Sequence, residues 1–141
     1  KKRIFGSFAR WVLKHANAVT ACSPDLQEQA IQLSNRDVTL TEYGVDVNLF
    51  SPGGERQQGT VLAVGRLVFK KGFVELLHAF SQIFKYYKNN TIEIVGDGPL
   101  LEPLREKAAQ LGISERVKLP GGAQHSDLPA LYRRAEIVAV P

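Results

Sequence analysis

The sequence predicts an α/β fold in which parallel sheets carry helices on both faces. Three observations support this. Short apolar runs alternate with segments of helical period along nearly the whole chain. The runs at 60–64 and 136–140 are apolar almost throughout instead of alternating, as strands buried on both sides are. Glycines stand at the joints, among them Gly65, Gly96 and Gly112.

The elements follow in order. Residues 1–16, KKRIFGSFARWVLKHA, place apolar side chains at Ile4, Phe5, Phe8, Trp11 and Val12, roughly helical in period. Residues 18–22 form a short strand. Ser23 can cap the next helix and Pro24 suits its first position, with the helix running to about Leu33. Residues 37–41 are the next strand. Tyr43-Gly44-Val45-Asp46 is a turn whose glycine can take a positive φ. The polar, Pro/Gly-rich stretch from Phe50 to Gly59 reads as a linker with a domain boundary near Gly54. The expected organisation is therefore one domain part at 1–53, a linker at 54–59 and a second part at 60–141.

Beyond the linker the pattern is cleaner. Thr60–Val64 is a strand, 65–71 a loop and 72–87 a helix whose apolar face holds Phe73, Leu76, Leu77, Phe80, Ile83, Phe84 and Tyr87. Thr91–Val95 is a strand and Gly96-Asp97-Gly98-Pro99 a tight turn. Leu100–Leu111 is a helix ended by Gly112. A strand follows at 116–119 and a loop at 120–125. Ser126-Asp127 can cap a helix through Arg134, and a buried strand at 136–140 closes the sequence.

Composition bounds the function. The chain has 141 residues, 44% apolar and 23% charged, ordinary for a globular domain. That excludes disordered, collagen-like and coiled-coil chains. No apolar run approaches the roughly 18–20 residues of a membrane span. The single cysteine, Cys22, excludes an internal disulfide framework and a four-thiolate zinc site. It is expected to be a small buried residue in a reducing compartment. The chain has no methionine, and its last strand is followed by no helix, so it is expected to be a piece of a longer protein. The net charge is +4, yet residues 1–15 alone carry five basic residues and no acid. The remainder therefore sums to −1, which argues against a broad nucleic-acid-binding face. The basic, apolar first segment suits either a helix packed on a sheet or one lying on an anionic membrane surface.

In parallel sheets ligands bind beyond the carboxyl ends of the strands. Three such ends are unusual here. At the first, Arg66 and Lys71 stand on a loop that leads through Gly72 into a helix, a pattern suited to a diphosphate. At the second, Gly96 and Gly98 bracket Asp97. This is not the dinucleotide fingerprint, because the third glycine position holds Leu101. No P-loop is present either. At the third, Leu119–His125 is a candidate wall for a base-binding crevice. His125 stands before a helix cap with no acid placed to partner it and reads as a surface histidine. His15 and His78 fall within helices and receive no role. No serine–histidine–aspartate arrangement is legible.

These segments, in this order, resemble the retaining glycosyltransferases of family 4, which have the GT-B architecture of two Rossmann-like domains. The similarity runs through Ala18–Ser23, through Tyr43-Gly44-Val45-Asp46 with Phe50 and Pro52, and through Val64–Leu67 and Lys71-Gly72. It continues through Ile94–Pro99, Val117–Gly121 and Asp127–Pro129. It departs at Tyr43, where asparagine is more usual. The resemblance implies a GT-B fold, here with parts of both domains: the end of the acceptor-side domain and the first half of the donor-binding domain. It implies transfer of a sugar from a nucleotide-diphosphate sugar to an unknown sugar or lipid-linked acceptor, with retention of configuration. Arg66 and Lys71 would neutralise the diphosphate and the charge that develops on the leaving group. Gly65, Gly96, Asp97 and Gly98 would lie against the donor. No metal and no cofactor is implied, and no nucleic-acid partner. The implied location is the cytoplasm, with residues 1–15 as a candidate contact to the cytoplasmic face of the membrane. The family's paired glutamates would lie beyond Pro141 and its glycine loop before Lys1, so these 141 residues are expected to have no turnover alone. Two rival readings stay open: an epimerase-like enzyme acting on sugar nucleotides, and a non-catalytic nucleotide-sugar-binding scaffold.

Overall fold

The computed structural model describes residues 2–83, 85–87 and 89–141. The chain divides into two compact units, Lys1–Asp46 and Val47–Pro141. The stretch 54–59 lies inside the second unit, and its last three residues are already strand.

The first unit contains α1 (Lys2–His15), β1 (Thr20–Ala21), α2 (Pro24–Ser34) and β2 (Thr39–Leu40). The helix start at Ser23-Pro24 is formed as the residue types require: the Ser23 hydroxyl accepts from the Leu26 amide at 3.3 Å, and Pro24 opens the helix. Asn35 closes it in a left-handed conformation. The two strands are parallel but only two residues long, shorter than the five-residue runs the sequence suggests. Gln27 reaches across to donate to the Val38 carbonyl at 2.7 Å. The Arg36 guanidinium donates to the carbonyls of Leu13, Lys14 and Ala16. A cation thereby satisfies the unpaired oxygens at the α1 C-terminus. Gly44 has no positive φ, and residues 41–46 run as irregular chain without a turn, which corrects the expected glycine turn. Cys22 is half-buried instead of buried. A hydrogen bond to its thiol, with the charge of the thiolate, holds the exposed Tyr43 phenol above its ordinary pKa.

The second unit is one four-stranded parallel sheet of order β5-β4-β3-β6, made of β3 (Gln57–Val64), β4 (Thr91–Val95), β5 (Val117–Gly121) and β6 (Ala135–Val138). The crossovers contain α3 (Phe73–Ile83), α4 (Leu101–Gln110) and α5 (Leu128–Arg134). Alternate residues of β3 serve opposite faces. Val61 and Ala63 meet Phe73, Leu77, Phe80, Leu104 and Ala108 of α3 and α4. Leu62 and Val64 meet Ala135 and Leu131 on the side of α5. On that second face Arg134 grips both carboxylate oxygens of the largely buried Glu93, at 2.7 and 2.6 Å. The chain steps from β3 to β4 to β5 in one direction and then returns to the other side of β3 as β6. The strand order reverses between β3 and β6, which is where such sheets open a crevice.

Several expectations need correction. Helix α3 is described over Phe73–Ile83 and does not reach Tyr87, since residues 85–87 are not helical. Ile83 is 46% and Tyr87 60% exposed, so a further turn would bury little. Strand β5 continues through Pro120 and Gly121, which the sequence assigned to a loop. Asp127 stands at the N-cap of α5 but is helical in conformation, and its side chain makes no capping bond. Strand β6, expected to be buried, borders the described sheet with Ile137 and Val138 exposed in this chain. The expected apolar positions Ile4 and Phe5 of α1, and Phe84 after α3, lie outside the residues whose side chains are described. No helix among the described residues is long and apolar enough to cross a membrane.

Leu77 has no exposed surface and sits in the larger core cluster. Leu77→Ala is expected to cost about 2–5 kcal/mol, whereas the exposed Gln82→Ala should stay within about 0.5 kcal/mol. Urea unfolding of the two variants checks the difference.

Candidate functional site

The loops that follow β3, β4 and β5 are joined to one another by main-chain hydrogen bonds. The Gly65 amide donates to the Val95 carbonyl at 3.0 Å, and the Leu67 amide to the Asp97 carbonyl at 2.8 Å. The Leu100 amide donates back to Leu67 at 3.1 Å, and the Gly96 amide to the Gly121 carbonyl at 2.8 Å. Such close approach leaves no room for side chains. A Cβ on Gly96 would overlap the Gly65 carbonyl oxygen, and one on Gly98 the Leu67 carbonyl oxygen. Both glycines also hold a positive φ, 157° and 153°, which L side chains rarely adopt.

The result is a shallow concavity of about 260 Å³ at the carboxyl ends of the strands. It is lined by Val64, Gly65, Arg66, Val95, Gly96 and Asp97, and across from them by Gly122, Ala123 and Leu128. Arg66 and Asp97 are its only charged residues, and they are not paired with each other. The Asp97 carboxylate instead accepts from the Gly122 amide at 2.9 Å. Arg66 is exposed and forms no ion pair among the described residues. An exposed, unpaired guanidinium over a floor of polypeptide backbone is chemically suited to an anionic oxygen ligand.

Of the six residues singled out by sequence, Gly65, Arg66, Gly96 and Asp97 come together in this concavity. Gly98 lies beneath it, against Leu67. Lys71 does not line it. It ends a 3-10 turn, Phe69–Lys71, and is exposed there. The next residue, Gly72, has φ 69° and packs against Pro141, on the β6 side of β3. Arg66 lines the concavity and Lys71, five residues on, does not. His125 also stays outside: its ring meets Phe50 edge-on at 5.3 Å. A hollow of about 500 Å³ lies between residues 50–54 and α5, but its Arg133 already donates to the carbonyls of Leu49 and Ser51, at 2.9 and 2.8 Å. The sequence missed the role of Gly122. Its bond partner stands 25 positions away, and no local pattern announces the pair. Among the described residues no group of three or more His, Cys, Asp or Glu side chains is placed to hold a metal ion.

The second unit is a parallel α/β sheet whose strand order reverses at β3, with the concavity just described at its strand ends. The chain belongs to the family described as glycosyl transferases group 1, whose pattern matches residues 48–141. It is 34% identical over 111 residues to the GDP-mannose-dependent alpha-(1-6)-phosphatidylinositol monomannoside mannosyltransferase of Mycobacterium tuberculosis, a match covering 70% of this chain and 28% of that protein. It is 30% identical over 123 residues to the D-inositol 3-phosphate glycosyltransferase of Corynebacterium glutamicum, covering 74% of this chain and 29% of that one. The chain thus spans under a third of the length of these relatives. Among solved structures it is similar to WaaG, a glycosyltransferase involved in lipopolysaccharide biosynthesis, with a TM-score of 0.78 at 17% identity over 99% of this chain and 42% of that one. The C-terminal domain of LpcC from Francisella tularensis gives a TM-score of 0.60 at 26% identity, over 69% of this chain and 58% of that one. The fold is GT-B.

The glycine floor has a direct test. Gly96→Ala forces a Cβ into the Gly65 carbonyl and should lower stability by more than about 2 kcal/mol. Gly112→Ala has open space around it but shares a positive φ, 69°, and should cost only the backbone penalty of about 1 kcal/mol. Thermal melting of both variants separates close packing from backbone strain.

Proposed function

We propose that the protein containing this chain is a retaining glycosyltransferase that transfers a sugar from a nucleotide-diphosphate donor to an acceptor. In this reading the first unit belongs to the acceptor-side domain, and the second, whose sheet starts at Gln57, begins the donor-binding domain. The observation that carries the reading is Arg66, an unpaired guanidinium on the rim of a backbone-lined concavity at the strand carboxyl ends. The names of similar proteins support a nucleotide-diphosphate donor: one relative is called GDP-mannose-dependent, and a pneumococcal O-GlcNAc transferase with the same fold, TM-score 0.77, was solved with UDP.

The chemistry follows from charge. When the bond between the anomeric carbon and the phosphate oxygen breaks, the electron pair stays on the diphosphate and the sugar becomes cationic. Arg66 binds the phosphate oxygens through its planar fork, and Lys71 reaches them as a mobile point charge on its long side chain. Both stabilise the leaving group more strongly as its charge grows, which lowers the barrier without a metal ion in this scheme. The acceptor hydroxyl oxygen then bonds to the same face of the anomeric carbon that the diphosphate left, its proton passing to the departing phosphate oxygen, which retains configuration. Gly65 and Gly96 let the main chain approach the donor closely.

In the full-length enzyme, Arg66→Ala combined with Lys71→Ala is expected to reduce kcat/KM by the equivalent of about 3–6 kcal/mol, two charge-assisted contacts. Steady-state kinetics with the donor that the enzyme uses decides it, and a change below threefold would remove both residues from the site. An epimerase-like relative would give an altered sugar nucleotide and no acceptor-linked product, so product analysis separates the two activities.

The same reading places the enzyme at the cytoplasmic face of a membrane. Helix α1 exposes Phe8 and Trp11, 63% and 58%, in one stacked row beside Arg10 and Lys14. The full-length protein should sediment with vesicles containing phosphatidylglycerol and not with pure phosphatidylcholine, and Phe8→Ser with Trp11→Ser should weaken that binding. Equal sedimentation of variant and native protein would show that α1 makes no membrane contact.

A further inference from the structure

We infer that Asp97 is a positioning residue, which sets the shape of the donor crevice by holding Gly122 and does not itself bind the donor. This rests on the donor-site reading above. Asp97 is joined to both neighbouring loops at once. Its carbonyl accepts from Leu67, in the loop that carries Arg66, and its carboxylate accepts from Gly122, in the loop of the opposite wall. One residue therefore fixes the width of the concavity between Arg66 and Ala123.

Two physical arguments favour a brace over a ligand contact. A carboxylate aimed at a diphosphate would repel it, and a hydrogen bond to a backbone amide is the arrangement that keeps an ionised acid turned aside. The same bond also prevents Asp97 from pairing with Arg66, the other charged residue of the concavity, so that the guanidinium stays open to a ligand. The fit around Gly122 is specific to this partner. A Cβ built there meets nothing nearer than three atoms, and all three belong to the Asp97 carboxyl group. Gly122 has no positive φ that would require glycine on its own account. Its missing side chain is explained by the carboxylate that occupies the space.

The experiment uses the full-length protein, with GDP and UDP as binding probes. Asp97→Ala should weaken binding of whichever nucleotide the native enzyme holds by about tenfold, the worth of one charge-assisted hydrogen bond. It should raise the donor KM by a similar factor and change kcat little, as loss of uniform binding does. Asp97→Asn keeps an acceptor oxygen in place and should recover most of the affinity. Gly122→Ala pushes the carboxylate off the amide and should resemble Asp97→Ala. The double variant should be no worse than either single one, because both break the same contact. Hydrogen exchange at the Gly122 amide gives a readout that does not depend on any donor: protection should be present in the native protein and Asp97→Asn and lost in Asp97→Ala. The proposal is overturned if Asn and Ala behave alike at position 97, if the two losses add, or if the Gly122 amide exchanges freely in the native protein. If instead Arg66→Ala binds GDP and UDP as the native protein does, the donor reading fails, while Gly122 exchange still judges the brace.

Discussion

The second unit depends on one constraint: three loops at the ends of β3, β4 and β5 must come close enough for their main chains to hydrogen-bond directly. Gly96 and Gly98 make this possible by having no Cβ where the Gly65 and Leu67 carbonyls lie. The main-chain bonds from Gly65, Leu67, Gly96 and Leu100 then lock the loops together. A site floor made of backbone is smooth, polar and rigid. It lets a ligand come nearer than any side-chain-lined surface would, and it presents Arg66 from a fixed base.

The sheet beneath gives this floor its stiffness unevenly. Toward α3 and α4 it is wholly apolar, and the strand side chains there are close to fully buried. Toward α5 the cluster is small, and its polar member is the Arg134–Glu93 pair. A bidentate pair in a partly buried place fixes orientation more than it adds stability. It ties the last turn of α5 to the middle of β4, across the strand between them. Arg133, one residue earlier, holds Leu49 and Ser51. Neighbouring arginines on one short helix thus point to different tasks, one bracing the sheet and the other fastening residues 49–51 to the same unit.

Local chemistry was readable wherever a single residue type does the work. Ser23-Pro24 started α2, Gly112 ended α4 with a positive φ, and the run Thr91–Val95 is β4 to the residue. Reading failed where burial decides. Residues 135–138 form the expected strand, but Ile137 and Val138 are exposed in this chain. Helix α3 has the periodicity to reach Tyr87, but residues 85–87 are not helical, and Tyr86 and Tyr87 stand exposed there. Gly44 suggested a turn that the chain does not make, because a glycine permits positive φ without requiring it.

The sequence by itself determined the class of the protein. The alternation of strands and helices indicated a parallel α/β fold, the resemblance of the motifs, in their order, to family 4 glycosyltransferases implied GT-B, and the family match over 48–141 agrees. Only the tertiary structure decided which of those residues share a site. It gathered Gly65, Arg66, Gly96 and Asp97, left Lys71 outside the concavity, and supplied Gly122 from 25 positions away. The reason is physical. A residue's type and its neighbours in sequence fix its charge and its conformational range, but which loops meet is set by strand order, and strand order is a property of the whole sheet.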